Sequence, residues 1–410
     1  MALTCPGLVD AVDRVYHQGM TTDSADRADS FDKSKLGAFS SAIVDRARQC
    51  GGVLDLPGGQ LVLPKVFGFC RGVERALEIL DQAVTARADK QTRLFLLGQI
   101  IHNPWVNEYF SRRGVRVLSA DQRDRPEEFI TSGDCAVIPA FGVPPTVLSR
   151  IERIGCEIVD TTCGDVRRLW KWAEQASAAG YGVMIFGRAS HDETVVTKSR
   201  LAAAGGKYVV AVDIEHVMAF GELIARQRPS EQFAGLFETE ATNAGSLEPF
   251  LRLAQVSQTT MLYDDTMEVQ ALLRAAYTHR FGDQDLSGTL LVQRTVCRAT
   301  QARQSAAVDL VKSGCDLAIV VGGFTSSNTR NLFELAQQYS PAYFIESPEA
   351  IRSAHELDTY DFDTARPTTA RDWLAARRPL KIAVLAGASS PEIVVGQVMA
   401  KLAELLDSDA

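Results

Sequence analysis

The stretch Glu157-Ile-Val-Asp-Thr-Thr-Cys163-Gly-Asp-Val166 joins a short apolar strand to a helix through a single cysteine. The helix pattern continues through Leu169, Trp170 and Ala173. A cysteine at the start of a helix faces free backbone N–H groups and the positive end of the helix dipole, which favour the thiolate over the thiol. The stretch therefore predicts a thiolate at a strand-to-helix junction.

The same arrangement occurs twice more, at Val66-Phe-Gly-Phe-Cys70-Arg-Gly-Val73 and at Thr295-Val-Cys297-Arg-Ala-Thr300. After each cysteine helix comes an apolar strand that ends in glycine, with a polar side chain four positions later. These pairs are Gly98 with His102, Gly187 with His191, and Gly322 with Ser326. A further apolar strand follows in each unit, starting at Ala136, Ala254 and Ile382. Strands that alternate with helices in a repeating order predict three related α/β units with parallel sheets.

This repeat suggests how the chain divides. We expect an N-terminal extension over residues 1–60, a first α/β domain over 61–163, a second over 164–295 and a third over 296–405. Residues 61–70 could pack with the third domain instead of the first. Two insertions distinguish the units, near residues 228–248 and 354–380. Their Pro, Asp, Thr and Arg content is typical of surface loops.

Composition narrows the class of protein. The chain has 410 residues and a formal net charge of −8, which argues against nonspecific binding to nucleic acids. No apolar run reaches the roughly 18 residues of a membrane span, and the acidic N-terminus is unlike a signal peptide. Eight cysteines scattered over this length do not form a secreted disulfide framework. These features predict a soluble protein of the reducing cytoplasm without membrane or nucleic-acid partners.

Parallel α/β sheets bind ligands beyond the carboxyl ends of their strands, so the turns of three such units could meet in one cavity. Alone, each cysteine is typical of a buried apolar filler. In three matching positions, the thiols of Cys70, Cys163 and Cys297 predict a shared zinc ion or iron–sulfur cluster. A structural zinc site would need a fourth ligand and usually closely spaced cysteine pairs, which the sequence lacks. A 4Fe-4S cluster on three cysteines would leave one iron open to a substrate hydroxyl.

The polar residues of the same turns are rich in hydrogen-bond donors and carry little charge, which suits a diphosphate. These residues are His102, His191, Ser326, Ser327, Asn328 and Ser389. Each could instead simply cap its helix. Glu193 follows His191 closely and could give a proton to a departing hydroxyl, with Thr259 and Gln258 orienting it.

Together these motifs resemble the 4-hydroxy-3-methylbut-2-enyl diphosphate reductase (IspH/LytB) family, from about residue 62 to 400. The matching segments are Gly-Phe-Cys70-Arg-Gly-Val, Ile-Ile-His102-Asn-Pro, Asp-Thr-Thr-Cys163, His191-Asp-Glu193-Thr, Gln258-Thr-Thr, Cys297-Arg-Ala-Thr-Gln, Gly-Gly-Phe-Thr-Ser326-Ser-Asn and Gly-Ala-Ser389-Ser-Pro. The long N-terminus and Pro-Ala-Phe141-Gly are similar to the cyanobacterial and plant branch. The resemblance implies a trefoil of three small α/β domains around a 4Fe-4S cluster, with the segment before the first cysteine packed on the third domain.

The family's functional residues carry over by position. The resemblance implies that Cys70, Cys163 and Cys297 hold the cluster. It implies that Thr259 and Glu193 deliver protons and that Thr259 also binds the substrate. The implied diphosphate ligands are His102, His191, Ser326, Ser327, Asn328 and Ser389. The implied reaction is the reductive dehydroxylation of 4-hydroxy-3-methylbut-2-enyl diphosphate to isopentenyl and dimethylallyl diphosphates, with ferredoxin or flavodoxin as electron donor.

The sequence departs from the family pattern at several positions. Phe141 stands where shorter bacterial members carry a histidine, and Gly164 stands where proline usually follows the second cysteine. Leu385 and Ala386 replace the usual Thr or Ser. Two alternative functions stay open: a paralogue that acts on another allylic diphosphate or alcohol, and a redox sensor that uses the cluster without catalysis. A sensor would need the cysteines but not Glu193.

Overall fold

The computed structural model of the chain describes residues 37–88, 92–282, 286–362, 364–375, 377 and 379–408. Residues 1–36 of the predicted N-terminal extension lie outside this range. The α-helices are α1 (Ala42–Gln49), α2 (Arg71–Thr85), α3 (Pro104–Arg112), α4 (Ala120–Arg123), α5 (Pro145–Ile154), α6 (Gly164–Ala178), α7 (Asp192–Ala203), α8 (Ile214–Ile224), α9 (Phe233–Leu236), α10 (Tyr263–Phe281), α11 (Arg298–Lys312), α12 (Ser327–Gln337) and α13 (Glu392–Ser408).

The strands form three larger sheets and one hairpin. They are β1 (Val53–Leu56), β2 (Gly59–Val62), β3 (Leu94–Leu96), β4 (Val115–Val117), β5 (Cys135–Ile138), β6 (Glu157–Asp160), β7 (Gly182–Phe186), β8 (Tyr208–Ala211), β9 (Leu253–Ser257), β10 (Leu290–Val292), β11 (Leu317–Val321), β12 (Ala342–Ile345), β13 (Glu356–Asp361), β14 (Arg366–Arg371) and β15 (Leu380–Ala386).

The three larger sheets repeat one strand order, which confirms the predicted threefold repeat. The orders are β4-β3-β5-β6, β8-β7-β9-β10 and β12-β11-β15-β2, with β1 added at the edge of the last. All of these pairings are parallel except that of β1 with β2. The central strands are buried and mostly apolar, as expected for parallel sheets covered by helices on both faces; the polar exceptions in β9 are Gln255 and Ser257, which hydrogen-bond to each other.

The fourth strand of each sheet leads to one cysteine. Strand β2 precedes Cys70, β6 precedes Cys163 and β10 precedes Cys297. Each cysteine is the N-cap of a helix of 15 residues, namely α2, α6 and α11. Because parallel strands in matching positions end at matching edges, this order aims the three helix starts at one centre.

Strands β1 and β2 come from the first part of the chain but belong to the last sheet. β2 pairs with β15 in parallel register, from Gly59 opposite Leu380 to Val62 opposite Ala383. Helix α1 packs with α13 over the same core. Residues 42–62 therefore form part of the third α/β unit, although they lie within or next to the predicted extension.

The two insertions lie largely at the surface, as expected, but they are not plain loops. Residues 356–371 form the antiparallel hairpin β13–β14. Its Phe362 packs against Phe344 of the third sheet, and Thr359 Oγ1 donates to Phe344 O at 2.9 Å. In the other insertion Phe233 and Phe237 are buried in the core of the second unit. Aromatic side chains within polar segments supplied this unpredicted packing. Within the described ranges, no helix has the length and apolar character needed to cross a membrane.

Candidate functional site

The three units meet at a cavity of about 90 Å³. The turns after the strands supply its walls. Gln258, which was expected to help orient Glu193, does not line the cavity and donates to Thr260 Oγ1 and Ser327 Oγ instead. The other site residues predicted from the sequence lie in the walls. These residues are Cys70, His102, Cys163, His191, Glu193, Thr259, Cys297, Ser326, Ser327, Asn328 and Ser389. Phe141, Asp165 and Thr300 line it as well. The structure thus brings together side chains from all three units around one space.

The three thiols line the cavity at the starts of helices α2, α6 and α11. A Cβ atom at Gly72 would lie 2.7 Å from Cys163 Sγ and 3.7 Å from Cys70 Sγ, so glycine is needed for the two sulfurs to approach this turn of α2. Cys297 Sγ lies 3.1 Å from Thr300 Oγ1. In the described part of the chain, no group of three or more His, Cys, Asp and Glu side chains is arranged to hold a metal ion.

The pKa values of two of the thiols contradict the expectation that a helix start favours the thiolate. Burial raises the pKa of Cys163, and it raises the pKa of Cys297 to about 11. Thr300 opposes this rise by hydrogen bonding to Cys297, from N–H at 3.3 Å. Desolvation of the charged sulfur therefore outweighs the helix terminus, and the prediction of low thiol pKa values was wrong for these two residues.

Glu193 is 1% exposed and is held by one neighbouring residue. Thr259 N–H donates to Oε1 at 2.7 Å, and Thr259 Oγ1 donates to Oε2 at 2.5 Å. Burial nevertheless raises the pKa of Glu193 to about 7, and the nearby Asp165 adds to this rise. A carboxyl group with such a pKa is present in both protonation states near neutral pH, as a proton donor requires.

The two predicted histidines are arranged around Phe141. The rings of His102 and Phe141 stack with centroids 4.3 Å apart, while His191 lies edge-on to His102 at 5.0 Å. Gly142 makes this turn at φ +78°, where a Cβ would collide with the Trp170 ring. The phenylalanine at 141 therefore supplies an apolar wall where a histidine would have supplied a donor.

The hydrogen bonds of the two histidines indicate which ring nitrogens are already engaged and which can bind a ligand. His191 Nδ1 accepts Glu193 N–H at 3.3 Å, and burial with the adjacent His102 lowers the pKa of His191 to about 3. The neutral ring thus carries its proton on Nε2 as a donor. His102 Nε2 lies 2.8 Å from Asp192 Oδ2. The hydrogen bond to His102 lowers the pKa of Asp192, which keeps that carboxylate charged.

Asn328 differs from its neighbours because its amide has no partner. The residue is 3% exposed, and among the described residues neither its Oδ1 nor its Nδ2 has a hydrogen-bond partner. Ser326 and Ser389 lie beside it with their Oγ atoms 3.1 Å apart. Buried amides are almost always hydrogen-bonded, so this amide in the cavity wall is available to bind a ligand.

Sequence reasoning missed one residue that contacts this site and one contact that supports the turn beside it. It gave Asp192 no role, although Asp192 joins the second unit to His102 of the first. It also missed Phe324, whose N–H donates to Glu346 Oε1 at 2.7 Å and whose ring stacks on Tyr360 of the hairpin at 4.6 Å. The adjacency of Asp192 to His191 was the one available signal. The contact at Phe324 depends on the fold of the insertion.

The departures at Gly164, Leu385 and Ala386 do not change the cavity wall. Leu385 and Ala386 are buried in β15. Gly164 starts α6, is exposed, and a Cβ there would meet no described atom within 4 Å. An alanine would therefore fit at position 164 without displacing the neighbouring cysteine.

Comparison with known proteins assigns the family. The model of the LytB protein family matches residues 61–403. The chain belongs to the LytB family. A relative from a Synechococcus strain, named 4-hydroxy-3-methylbut-2-enyl diphosphate reductase, is 32% identical over 391 residues and 94% of each chain. A relative of the same name from Gloeobacter violaceus is 31% identical over 373 residues, covering 90% of this chain and 88% of its own. Similarity to cyanobacterial members confirms the predicted branch.

Solved LytB-like structures confirm the fold. The E-1-hydroxy-2-methyl-but-2-enyl-4-diphosphate reductase from Plasmodium falciparum matches with a TM-score of 0.59 at 20% identity, over 84% of this chain and 88% of its own. A structure of (E)-4-hydroxy-3-methyl-but-2-enyl diphosphate reductase matches with a TM-score of 0.50 at 24% identity, over 84% and 99%. This LytB chain therefore shares the trefoil of three α/β units found in its relatives.

Proposed function

We propose that this chain reduces 4-hydroxy-3-methylbut-2-enyl diphosphate to isopentenyl and dimethylallyl diphosphates, the last step of the non-mevalonate isoprenoid pathway. The observation that carries the proposal is the buried pair of Glu193 and Thr259 in the cavity that also holds three thiols and an unpartnered amide. The names of the relatives supply the substrate. The reaction takes up two electrons and two protons and releases water.

The three cysteine side chains fit the ligands of an iron–sulfur cluster. Three soft thiol ligands line one buried space, and Gly72 leaves room for two of the sulfurs to face it. One metal ion would draw its ligands to about 2.3 Å from a common point, whereas a multi-iron cluster spans a wider ring of thiols. In the proposal Cys70, Cys163 and Cys297 would hold a 4Fe-4S cluster, which would supply one electron at a time.

The polar wall opposite the thiols is proposed to hold the diphosphate. Asn328 Nδ2 donates to a phosphate oxygen, as does His191 through its Nε2–H. The hydroxyls of Ser326, Ser327 and Ser389 add donors at the starts of α12 and α13, where backbone N–H groups also favour anions. Asp192 orients His102 through its 2.8 Å hydrogen bond. Binding by uncharged donors positions the hydroxyl end of the substrate next to the thiols.

Glu193 is proposed to protonate the departing hydroxyl oxygen. Its raised pKa of about 7 leaves a large protonated fraction at neutral pH. Thr259 keeps the carboxyl group in place through both of its oxygens. Because burial keeps bulk water away from this carboxyl group, the proton goes to the substrate oxygen, which leaves as water. A one-electron donor such as ferredoxin or flavodoxin would supply the electrons.

An anaerobic turnover assay tests the proposal. The reconstituted protein receives the diphosphate substrate and a reduced one-electron dye, and dye oxidation and both five-carbon products are followed. We expect Cys163→Ala to lose its iron and its turnover. Cys156→Ala is the control because Cys156 is more buried than Cys163 but lies outside the cavity. Normal iron content and turnover in Cys163→Ala would contradict the proposed ligand set.

The same assay separates the alternatives. A loaded, reducible wild-type protein without turnover on this substrate would exclude the reductase. Turnover of another allylic diphosphate or alcohol would then identify the paralogue, for which Phe141 in the diphosphate wall is the motivating observation. A redox sensor would show neither activity.

A further inference from the structure

Arg303 of α11 is a buried cation that joins two of the cysteine segments. The residue is 6% exposed and lies on the helix that Cys297 caps. Its Nε donates to Gly68 O at 2.9 Å and its Nη2 donates to Phe69 O at 2.7 Å, directly before Cys70. Its Nη1 donates to Ala299 O of its own helix at 2.9 Å. One guanidinium thus fixes the segment before Cys70 to the helix after Cys297.

All three hydrogen-bond acceptors of Arg303 are neutral carbonyls, so none of its hydrogen bonds reaches an anion. Within the described parts of the chain, Arg303 forms no salt bridge with a carboxylate. Burial lowers the pKa of Arg303, and the groups that oppose this are, in order, Cys70, Cys297 and the half-buried Glu74. Burying a cation without an anion nearby is strongly unfavourable. Besides the half-buried Glu74, the sulfurs of Cys70 and Cys297 are therefore the anionic partners that this site provides when they carry charge.

We propose that Arg303 is the counter-charge of the thiolate-held cluster and raises its reduction potential. The inference rests on the proposed iron–sulfur function. An added electron makes the cluster more negative, and a fixed cation in a dry site stabilises that reduced state more than the oxidised state. The three carbonyl bonds keep the guanidinium from moving away, so its charge acts at a constant position. Arg303 is thus a positioning and tuning residue that does not touch the substrate.

The test is a redox titration of reconstituted protein with a one-electron dye, followed by absorbance and electron paramagnetic resonance. Arg303→Gln removes the charge and keeps an amide donor, while Arg303→Lys keeps the charge. Arg71→Gln is the matched control because Arg71 directly follows Cys70 but is exposed to solvent. We expect Arg303→Gln to lower the equilibrium constant for reduction of the cluster about tenfold, which lowers its potential by about 59 mV for a one-electron couple. Arg303→Lys and Arg71→Gln should change this equilibrium constant less than threefold.

A loaded Arg303→Gln protein with the wild-type potential would overturn the inference, since a structural bond alone would leave the potential unchanged. If Arg303→Gln loads no iron, then Arg303→Lys decides. Normal iron and sulfide content in Arg303→Lys supports a need for charge, whereas failure of both variants with unchanged thermal unfolding of the apoprotein shows a need for guanidinium geometry and overturns it. Failure of the wild-type protein to load a cluster would instead overturn the proposed function.

Discussion

Glu193 and Asn328 line the same cavity and are almost equally buried, but their hydrogen bonding is opposite. Both oxygens of Glu193 accept hydrogen bonds from Thr259, whereas neither side-chain atom of Asn328 has a partner among the described residues. The difference separates two kinds of functional residue. A proton donor must be held in place before the substrate arrives, while a ligand-binding amide is satisfied only by the ligand.

The most direct test of Glu193, the carboxyl group that Thr259 holds, is the substitution Glu193→Gln. The amide keeps the shape and the contact with Thr259 but cannot release a proton, so we expect kcat to fall by about 10²- to 10⁴-fold. Steady-state kinetics at pH 7 with equal iron content checks this. Glu215→Gln, at an exposed carboxylate of α8, should leave kcat unchanged. An active Glu193→Gln protein would mean that the proton comes from elsewhere.

Replacing Asn328, whose amide has no partner among the described residues, should weaken substrate binding more than it lowers the free energy of unfolding. We expect Asn328→Ala to raise KM by about 10- to 100-fold, since each hydrogen bond to a charged group is worth about 1.5–3 kcal/mol. The free energy of unfolding of the apoprotein should stay within about 0.5 kcal/mol of the wild type, because no bond within the protein is lost.

Asn107 gives the matched control for Asn328. It is also buried, but its amide makes three hydrogen bonds, to Ile100 N, Ile101 O and Asn103 O. Asn107→Ala should lower the free energy of unfolding by about 1–3 kcal/mol because buried backbone groups lose their partner. Urea denaturation compares the two variants. Equal destabilisation by both would show that Asn328 has partners in solution.

The pH dependence of kcat reports on how Thr259 holds Glu193. Activity needs the protonated acid, so wild-type kcat should fall as pH rises through about 7. The hydrogen bond from Thr259 Oγ1 stabilises the charged carboxylate and lowers its pKa. Thr259→Val removes that bond, so the pKa should rise and the alkaline limb should move up by about one pH unit. A limb at the wild-type position would exclude Glu193 as the titrating group.

The smallest expected effect concerns Tyr360, which supports the turn before Asn328. Tyr360 of the hairpin stacks on Phe324 in the turn before Ser326 and Asn328. Tyr360→Ala removes a ring contact worth about 0.5–1.5 kcal/mol, so KM should rise about two- to tenfold with kcat unchanged. Tyr360→Phe keeps the ring and should retain the wild-type KM. A change in kcat instead of KM would indicate that the hairpin acts on the chemistry.

The sequence allowed prediction of the repeating features and not of contacts between units. The strand, cysteine and helix order around Cys163 is local, so three copies of it were enough to predict three sheets and one cavity. The pairing of His102 with Asp192 joins two units, and no local pattern encodes such a contact. The thiol pKa values were missed for a related reason: burial depends on the whole assembly, and it outweighed the helix terminus at Cys163 and Cys297.

The pairing of β2 with β15 has a consequence for the order in which the molecule assembles. The first two sheets can form from strands that leave the ribosome close together, but the sheet that carries Cys70 cannot close until residues 380–386 have been made. During that time β1 and β2 present an open edge, which is a template for aggregation. A nascent chain stalled before β15 would thus contain all three cysteines and still lack a completed frame for the first of them.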